Sequence, residues 1–325
     1  MNKQELNSAL GFINEPQGEL QILFYAILEG IEEPQKLDIK GEDLPELGQL
    51  FVNAIQSHII AKDDYVVLPL STADERGKCL YQYDLELPQE LQLLENVVGN
   101  DNLQNFDFTN DQLSSIDSLI IVLADDNNEI SLFKKLSPVE VIGRAGYILW
   151  KSNQRLERFN DQLLRISSRF QVIRVSGELI IIDLNAIEKS FGFHDVITRE
   201  ATASLSVIRD MQIVSNIDSL EELVGNVSFA RKLIKVARSS PVIRLNIPNA
   251  NIIAFAKSHP LTKKKMRFNE DGTQFNLDTR VSKDLFIKIL NDDFLTSELT
   301  KLYYDSLAKD DIEIENEPAI ENNED

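Results

Sequence analysis

Apolar residues along this chain fall into short blocks separated by polar turns, and their spacing switches between strand-like and helix-like. QILFYAIL (21–28) is apolar almost throughout and predicts a buried strand. From Leu44 to His58, the residues Leu47, Phe51, Ala54, Ile55 and His58 recur at helical spacing. They predict a helix with His58 on its apolar face as a hydrogen-bonded structural histidine. YVVLPL (65–70) and CLYQYDL (79–85) read as strands, and Leu91 to Val98 as a short helix. In SLIIVLADDNNEISLFKKL (118–136) two apolar runs flank a polar turn, which predicts a hairpin. A second hairpin is predicted where QVIRV and ELIIID are joined by Ser176-Gly177, because a two-residue link with Gly between β-branched runs favours a tight turn.

Helical spacing dominates further on. Asp183-Leu-Asn opens a short helix, followed by a longer one from about Asp195 to Met211. Ser219-Leu-Glu-Glu222 fits a capping box, predicting a helix from there to about Arg238 with Leu220, Leu223, Val227, Ala230, Ile234 and Ala237 as its apolar stripe. Arg231, Lys235 and Arg238 would share one face of it. Pro248 suits the first turn of the next helix, which should end near His259-Pro260. Lys263, Lys264 and Lys265 follow in a loop, KMRF and QFNLD flank a turn at 269–272, and a last helical region is expected over about Val281 to Leu307.

Charge adds a division that periodicity does not show. The 325 residues carry a net charge of −20, yet residues 1–130 carry −19, 131–309 carry +7 and 310–325 carry −8. The length favours about two domains, and the charge break divides the chain into an acidic α/β domain (1–130), a basic α+β domain (131–309) and a disordered acidic tail (310–325). The expected fold class is α+β: mixed sheet and helix in the N-terminal part, hairpins in the middle, helices toward the C-terminus. Cys79 is the only cysteine, so no internal disulfide can form, which suits a reducing cytosol. No apolar run approaches the roughly 20 residues of a membrane span, and the N-terminus lacks the apolar stretch of a signal peptide.

The search for catalytic chemistry is mostly negative. There is no GxxxxGK[ST] phosphate loop and no GxGxxG fingerprint, and His58, His194 and His259 have none of the usual metal-ligand spacings. No cofactor and no metal are expected. Asp38-Ile-Lys40 matches the short half of a restriction-type nuclease pattern, which needs an acid and an acid-x-Lys on adjacent strands. That tripeptide is common, and it lies in the acidic part, where DNA would be repelled.

The strongest functional signal is a gap in the acids. Between Glu222 and Glu270 the chain has no Asp or Glu but ten cations: Arg231, Lys232, Lys235, Arg238, Arg244, Lys257, Lys263, Lys264, Lys265 and Arg267. Singly, each has an ordinary explanation, such as a helix C-terminus, a solvated loop or a distant carboxylate. Together they point to a surface that meets a polyanion, since clustered Lys and Arg neutralise phosphates and release counterions. From Arg144 to Arg174 seven more cations face only Glu157 and Asp161, with Tyr147 and Trp150 beside them. The aromatics could stack on bases, although core packing is their commoner use.

Two segments, QVIRVSGELIIIDLNAIEKSFGF (171–193) and FIKILNDDFLTSELTKLYY (286–304), resemble the KwaB family, the cytosolic component of the two-component Kiwa antiphage defence system. Leu179, Ile181, Glu188, Phe191, Phe193, Phe286, Leu290, Leu295, Leu299 and Tyr303 read as determinants of its fold. The resemblance implies a cytoplasmic DNA-binding effector that joins a membrane-embedded partner, KwaA, and interferes with phage DNA replication and late transcription. It pins no DNA contact to a particular residue.

The leading expectation is therefore a non-enzymatic, non-sequence-specific DNA-binding defence protein, a homodimer or higher homo-oligomer, without direct membrane insertion and recruited to the inner membrane through its partner. The charge pattern assigns the DNA contacts to Arg231, Lys232, Lys235, Arg238, Lys257, Lys263, Lys264, Lys265 and Arg267. Glu42, Asp43, Glu46, Asp63 and Asp64 are the candidate docking residues, because cytoplasmic loops of membrane proteins are enriched in Lys and Arg. Two other classes stay open: a metal-dependent nuclease with an unrecognised site, and a scaffold whose cations bind anionic lipid.

Overall fold

The computed structural model describes residues 1–305 except 31–32, 63, 73–77, 98–99, 101, 138–139, 143–148, 153–154, 159–161, 189–192 and 297–302. In chain order the first elements are α1 (Lys3–Leu10), β1 (Gln21–Leu28), β2 (Gln35–Lys36), α2 (Leu44–Ile55), β3 (Val66–Pro69), β4 (Cys79–Gln82), α3 (Gln89–Asn96), β5 (Ile116–Ala124) and β6 (Glu129–Lys135). Then come β7 (Val141–Ile142), β8 (Leu149–Ser152), β9 (Arg155–Arg158), β10 (Leu163–Leu164), β11 (Val172–Val175), β12 (Glu178–Ile181), α4 (Leu184–Glu188) and α5 (Phe193–Asp210). The C-terminal region holds α6 (Asp218–Glu221), α7 (Val227–Ser239), α8 (Pro241–Arg244), α9 (Asn249–Ser258), β13 (Arg267–Phe268), β14 (Phe275–Asn276), α10 (Arg280–Leu290), β15 (Phe294–Thr296) and β16 (Tyr303–Asp305).

One eight-stranded sheet organises the molecule, in the order β2-β1-β5-β6-β11-β12-β4-β3. Its pairs are antiparallel except β3 with β4, so the fold is α+β. Strand alternation sends Phe24, Ala26, Leu28, Leu119, Ile121 and Leu123 to one face, against Leu6 and Leu10 of α1 and Phe51 and Ile55 of α2. Tyr25, Ile27, Ile120, Val122, Phe133 and Val172 go to the other, against α5, α7, α9 and α10. Burial on both faces is why β1 and β5 read as continuous apolar runs. Gly48 lets α2 approach β1 closely: a Cβ there would lie 1.9 Å from Ile22 Cδ1. The charge boundary at residue 130 falls within β6, whose neighbours in the sheet are β5 and β11.

Both predicted hairpins form, β5–β6 and β11–β12. Ser176 and Gly177 have φ of 51° and 81°, the two positive values that a type I′ turn requires. Four expectations need correction. Ser219 caps no long helix: α6 is a short separate turn, and α7 starts at Val227, where Asn226 Oδ1 accepts the Phe229 N–H at 3.1 Å. The last helix ends at Leu290, because Asp292 enters the left-handed region (φ 55°) and turns the chain into the β15–β16 pair. Leu295, on β15, is exposed rather than core. His58 is also exposed: the helix widens into a π turn over Gln56–Ile60, and Ile59 takes the buried position instead. Of the other positions expected to set the fold, Leu179, Ile181, Phe193, Phe286 and Leu290 are buried, whereas Phe191 and Leu299 lie outside the described residues. The acidic tail from Asp310 and Tyr147 also lie outside them.

Candidate nucleic-acid interface

The cations of the acid-free stretch all lie on the α7–α10 side of the sheet, but they do not form one uniform set. On α7, acids far away in sequence meet the basic face. Arg231 Nη1 donates to Glu188 Oε1 at 2.5 Å and Lys232 Nζ to Asp284 Oδ1 at 2.7 Å. Arg238 bridges two elements, donating to Glu200 Oε2 at 2.7 Å and to the Asp84 carbonyl at 2.8 Å. Arg267 sits 3.7 Å from Asp278 Oδ2. These four are thus compensated in space though not in sequence. Lys235 and Arg244 also have interaction partners. Lys257 donates to the Gly272 carbonyl at 2.9 Å and lies 4.9 Å from the Phe268 ring centroid.

Lys263, Lys264 and Lys265 differ. All three are exposed and none forms an ion pair among the described residues. The turn that carries them is firmly held. Thr262, fully buried, donates through Oγ1 to the Ala256 carbonyl at 2.8 Å, which ties the turn to the end of α9. Lys263 N–H donates to the His259 carbonyl at 3.0 Å, and Lys265 N–H to the Thr262 carbonyl at 2.8 Å. Met266 closes the turn by entering the core. His259 stacks on Phe255 at 4.9 Å between ring centroids, and burial pushes its imidazole below the ordinary pKa, so it is neutral at pH 7 and adds no charge. The result is three adjacent ammonium groups on a short, internally bonded projection.

The acidic candidates lie on the opposite face. Asp43 and Glu46 are exposed at the start of α2, and Glu42 just before it pairs with Lys40. Asp64 pairs with Lys78, whose hydrogen bond and charge hold the carboxyl below its usual range. Asp63 lies outside the described residues. Asp38-Ile-Lys40 is on no strand, and its lysine is the partner of Glu42, so the strand geometry of the nuclease pattern is not met there. No group of three or more His, Cys, Asp or Glu converges as a metal site among the described residues. No helix is long and apolar enough to cross a membrane, again among the described residues.

Sequence spacing located the lysine turn but missed its anchors. Thr262 and Met266 look like ordinary loop residues, and only their place between cations and an apolar helix hints that they fix the projection. The ion pairs of α7 were invisible for a simpler reason: Glu188, Asp284 and Asp84 are 43, 52 and 154 residues from their partners.

Comparison with known proteins adds two findings. The family model described as Kiwa protein KwaB-like matches residues 113–300. The chain is also similar to the Kiwa protein KwaB of Escherichia coli O55:H7 (strain RM12579 / EPEC), with 26% identity over 315 residues, spanning 95% of this chain and 99% of that protein. No solved structure matches.

Proposed function

The chain belongs to the Kiwa protein KwaB-like family, and from that membership we propose that it is an antiphage defence effector that binds DNA without sequence preference. The observation that carries the DNA-binding part is the Lys263–Lys265 turn: exposed, rigidly anchored and free of ion pairs among the described residues. Lys257 and Arg267 flank it. Arg231, Lys232, Lys235 and Arg238 form a second tier, because a phosphate would have to compete with carboxylates that already hold three of them. A duplex lying across this layer would be contacted through its backbone, which positions the protein but reads no sequence. Blocked replication and late transcription of phage DNA would follow from occupancy rather than from bond cleavage. The face around α2, with Glu42, Asp43, Glu46, Asp63 and Asp64, is left for a basic cytoplasmic segment of the membrane partner KwaA, which would bring the protein to the inner membrane as a homo-oligomer.

A gel shift of the purified protein on duplex DNA, with and without Mg²⁺ and scored for cleavage as well as binding, tests this reading. If about six phosphates are neutralised, log K should fall against log salt with a slope of roughly −5. Binding that does not respond to salt would refute an electrostatic surface, and Mg²⁺-dependent cleavage would favour a nuclease. Capture by anionic vesicles in place of DNA would favour the lipid scaffold.

A further inference from the structure

The cations between Arg144 and Arg174 are not used by the lysine-turn surface, and two of them, Arg165 and Arg169, border a cavity at the end of β6. We propose that this cavity, of about 580 Å³ at the end of β6, is a second and separate anion site that takes the phosphate group of a small phosphorylated ligand the size of a mononucleotide. It lies between β6, the residues Ser137 and Glu140, the segment Arg165–Gln171 and the start of α4. Lys134 follows the strand alternation of Ile130 and Leu132, which face the α1–α2 side, and Lys135 that of Phe133, which faces the other, so the cavity opens at the end of β6 and shares no lining residue with the lysine turn.

The floor of the cavity is built and closed. Lys134, 1% exposed, donates to Glu140 Oε1 at 2.8 Å, Ser167 Oγ at 2.8 Å and the Arg169 carbonyl at 2.9 Å. All three ammonium protons are used, so Lys134 sets the shape and does not bind the ligand itself. Above it the lining has four cations, Lys134, Lys135, Arg165 and Arg169, against two carboxylates, Glu140 and Asp183. Counting Asp117, which pairs with Lys135, still leaves the site positive.

Arg165 is exposed and makes no ion pair among the described residues. Among the described residues Arg169, largely exposed, is held only by Asp183, at 3.2 Å, a contact that an incoming dianion can displace. Gln171 is 7% exposed; its Oε1 accepts the Lys135 N–H at 2.7 Å, which fixes the carboxamide. Its Nε2 has no hydrogen-bond partner among the described residues, and Gln171 lines the cavity. Two guanidinium forks and one amide donor, all carried by the segment Arg165–Gln171, suit a tetrahedral oxyanion. The volume beyond that anion, walled by Leu136 and Ala186, accommodates the remainder of the ligand.

Titration calorimetry on the full chain with inorganic phosphate, then with a 5′-mononucleotide, tests the site. An Arg165→Ala/Arg169→Ala variant should weaken phosphate binding by about tenfold or more, since charge-assisted bonds supply most of the affinity. Arg165→Lys should lose less, and a Lys263→Glu/Lys264→Glu/Lys265→Glu variant nothing. Unchanged melting curves of the arginine variants, whose side chains are exposed, would confirm an intact fold. A mononucleotide that binds more tightly than phosphate, and is not displaced by duplex DNA, identifies a free ligand. Displacement by duplex identifies nucleic acid as the source of the phosphate. The proposal is overturned if wild type binds neither probe at about 10 mM, far weaker than functional phosphate sites, or if binding persists in the double-arginine variant or is lost in the lysine variant.

Discussion

Replacing Glu140 by Ala should destabilise the protein strongly, and the structure sets the size of the loss. The variant removes the only carboxylate among the described residues that touches Lys134, a side chain 1% exposed, and leaves the ammonium with two neutral acceptors. It also orphans the Ser137 N–H and hydroxyl, which donate to Glu140 Oε2 at 2.9 Å and 2.8 Å. Breaking a buried ion pair from one side costs about 3–5 kcal/mol, a large part of the stability of an ordinary domain. Lys134→Met should cost less, about 1–3 kcal/mol, because Glu140 keeps its serine donors. The double variant Lys134→Met/Glu140→Ala should recover much of the loss, since removing both charges removes the uncompensated one.

Acid gives an independent check on the same group. Burial pushes the Glu140 carboxyl up, but hydrogen bonds from Lys134, Ser167 and Ser137 together outweigh it and take the pKa from 4.5 to about 2. A carboxylate depressed in the folded state contributes stability that is complete above about pH 4.5 and is lost as pH falls toward 2. The shift places a ceiling on the order of 3 kcal/mol on this contribution. The gap between wild type and Glu140→Ala should therefore be widest above pH 5 and narrow through that window. Urea unfolding followed by circular dichroism at pH 7 and pH 3 measures both effects. The reasoning fails if Glu140→Ala costs less than about 1 kcal/mol at pH 7, or if the double variant loses the plain sum of the single losses, within about 0.5 kcal/mol.

Other expectations concern the surface. Reversing Lys263, Lys264, Lys265 and Arg267 to Glu should abolish DNA retardation in a gel shift while shifting the melting curve little, because exposed positions typically change stability by under about 0.5 kcal/mol. Arg238→Glu should instead lower the melting temperature, since it sets a third carboxylate against Asp84 and Glu200, and differential scanning fluorimetry reads this directly. Truncation after Lys309 removes eight carboxylates and should tighten DNA binding at low salt if the tail competes for the basic surface; weaker binding would give the tail a docking role. Co-expressed with its membrane partner, the protein should fractionate with membranes, and neutralising Glu42, Asp43, Glu46, Asp63 and Asp64 should return it to the supernatant.

Much of the fold was legible because its signals are local. Ser176-Gly177 can make a type I′ turn by itself, and the apolar runs of β1 and β5 announce strands buried on both faces. Errors arose where a local signal was overruled by its neighbours. Ser219 offers a cap, but the Gly225-Asn226 pair breaks the chain before α7, and Asn226 caps instead. His58 fits helical spacing, yet one π turn exchanges it with Ile59. Strand order was not readable, since β1 pairs with β5 and β4 with β12 across long stretches of chain. The same distance hid the carboxylates that meet α7 and the lining of the cavity, whereas the lysine turn could be read because its charges are consecutive.

The sheet order also bears on how the protein is made. Residues after 113 supply the four central strands, β5, β6, β11 and β12, while earlier residues supply both flanks, β2-β1 on one side and β4-β3 on the other. During synthesis the flanking strands leave the ribosome first, and although β1 can pair with β2 and β3 with β4, the inner edges of β1 and β4 have no partner until the centre follows. At bacterial elongation rates β1 would wait on the order of ten seconds for β5, with an apolar strand and its unpaired backbone exposed. Over that interval like-charge repulsion offers one protection, since residues 1–130 carry a net charge of −19. The acid-rich half would thus keep the nascent chain apart from its neighbours until the centre of the sheet arrives to close it.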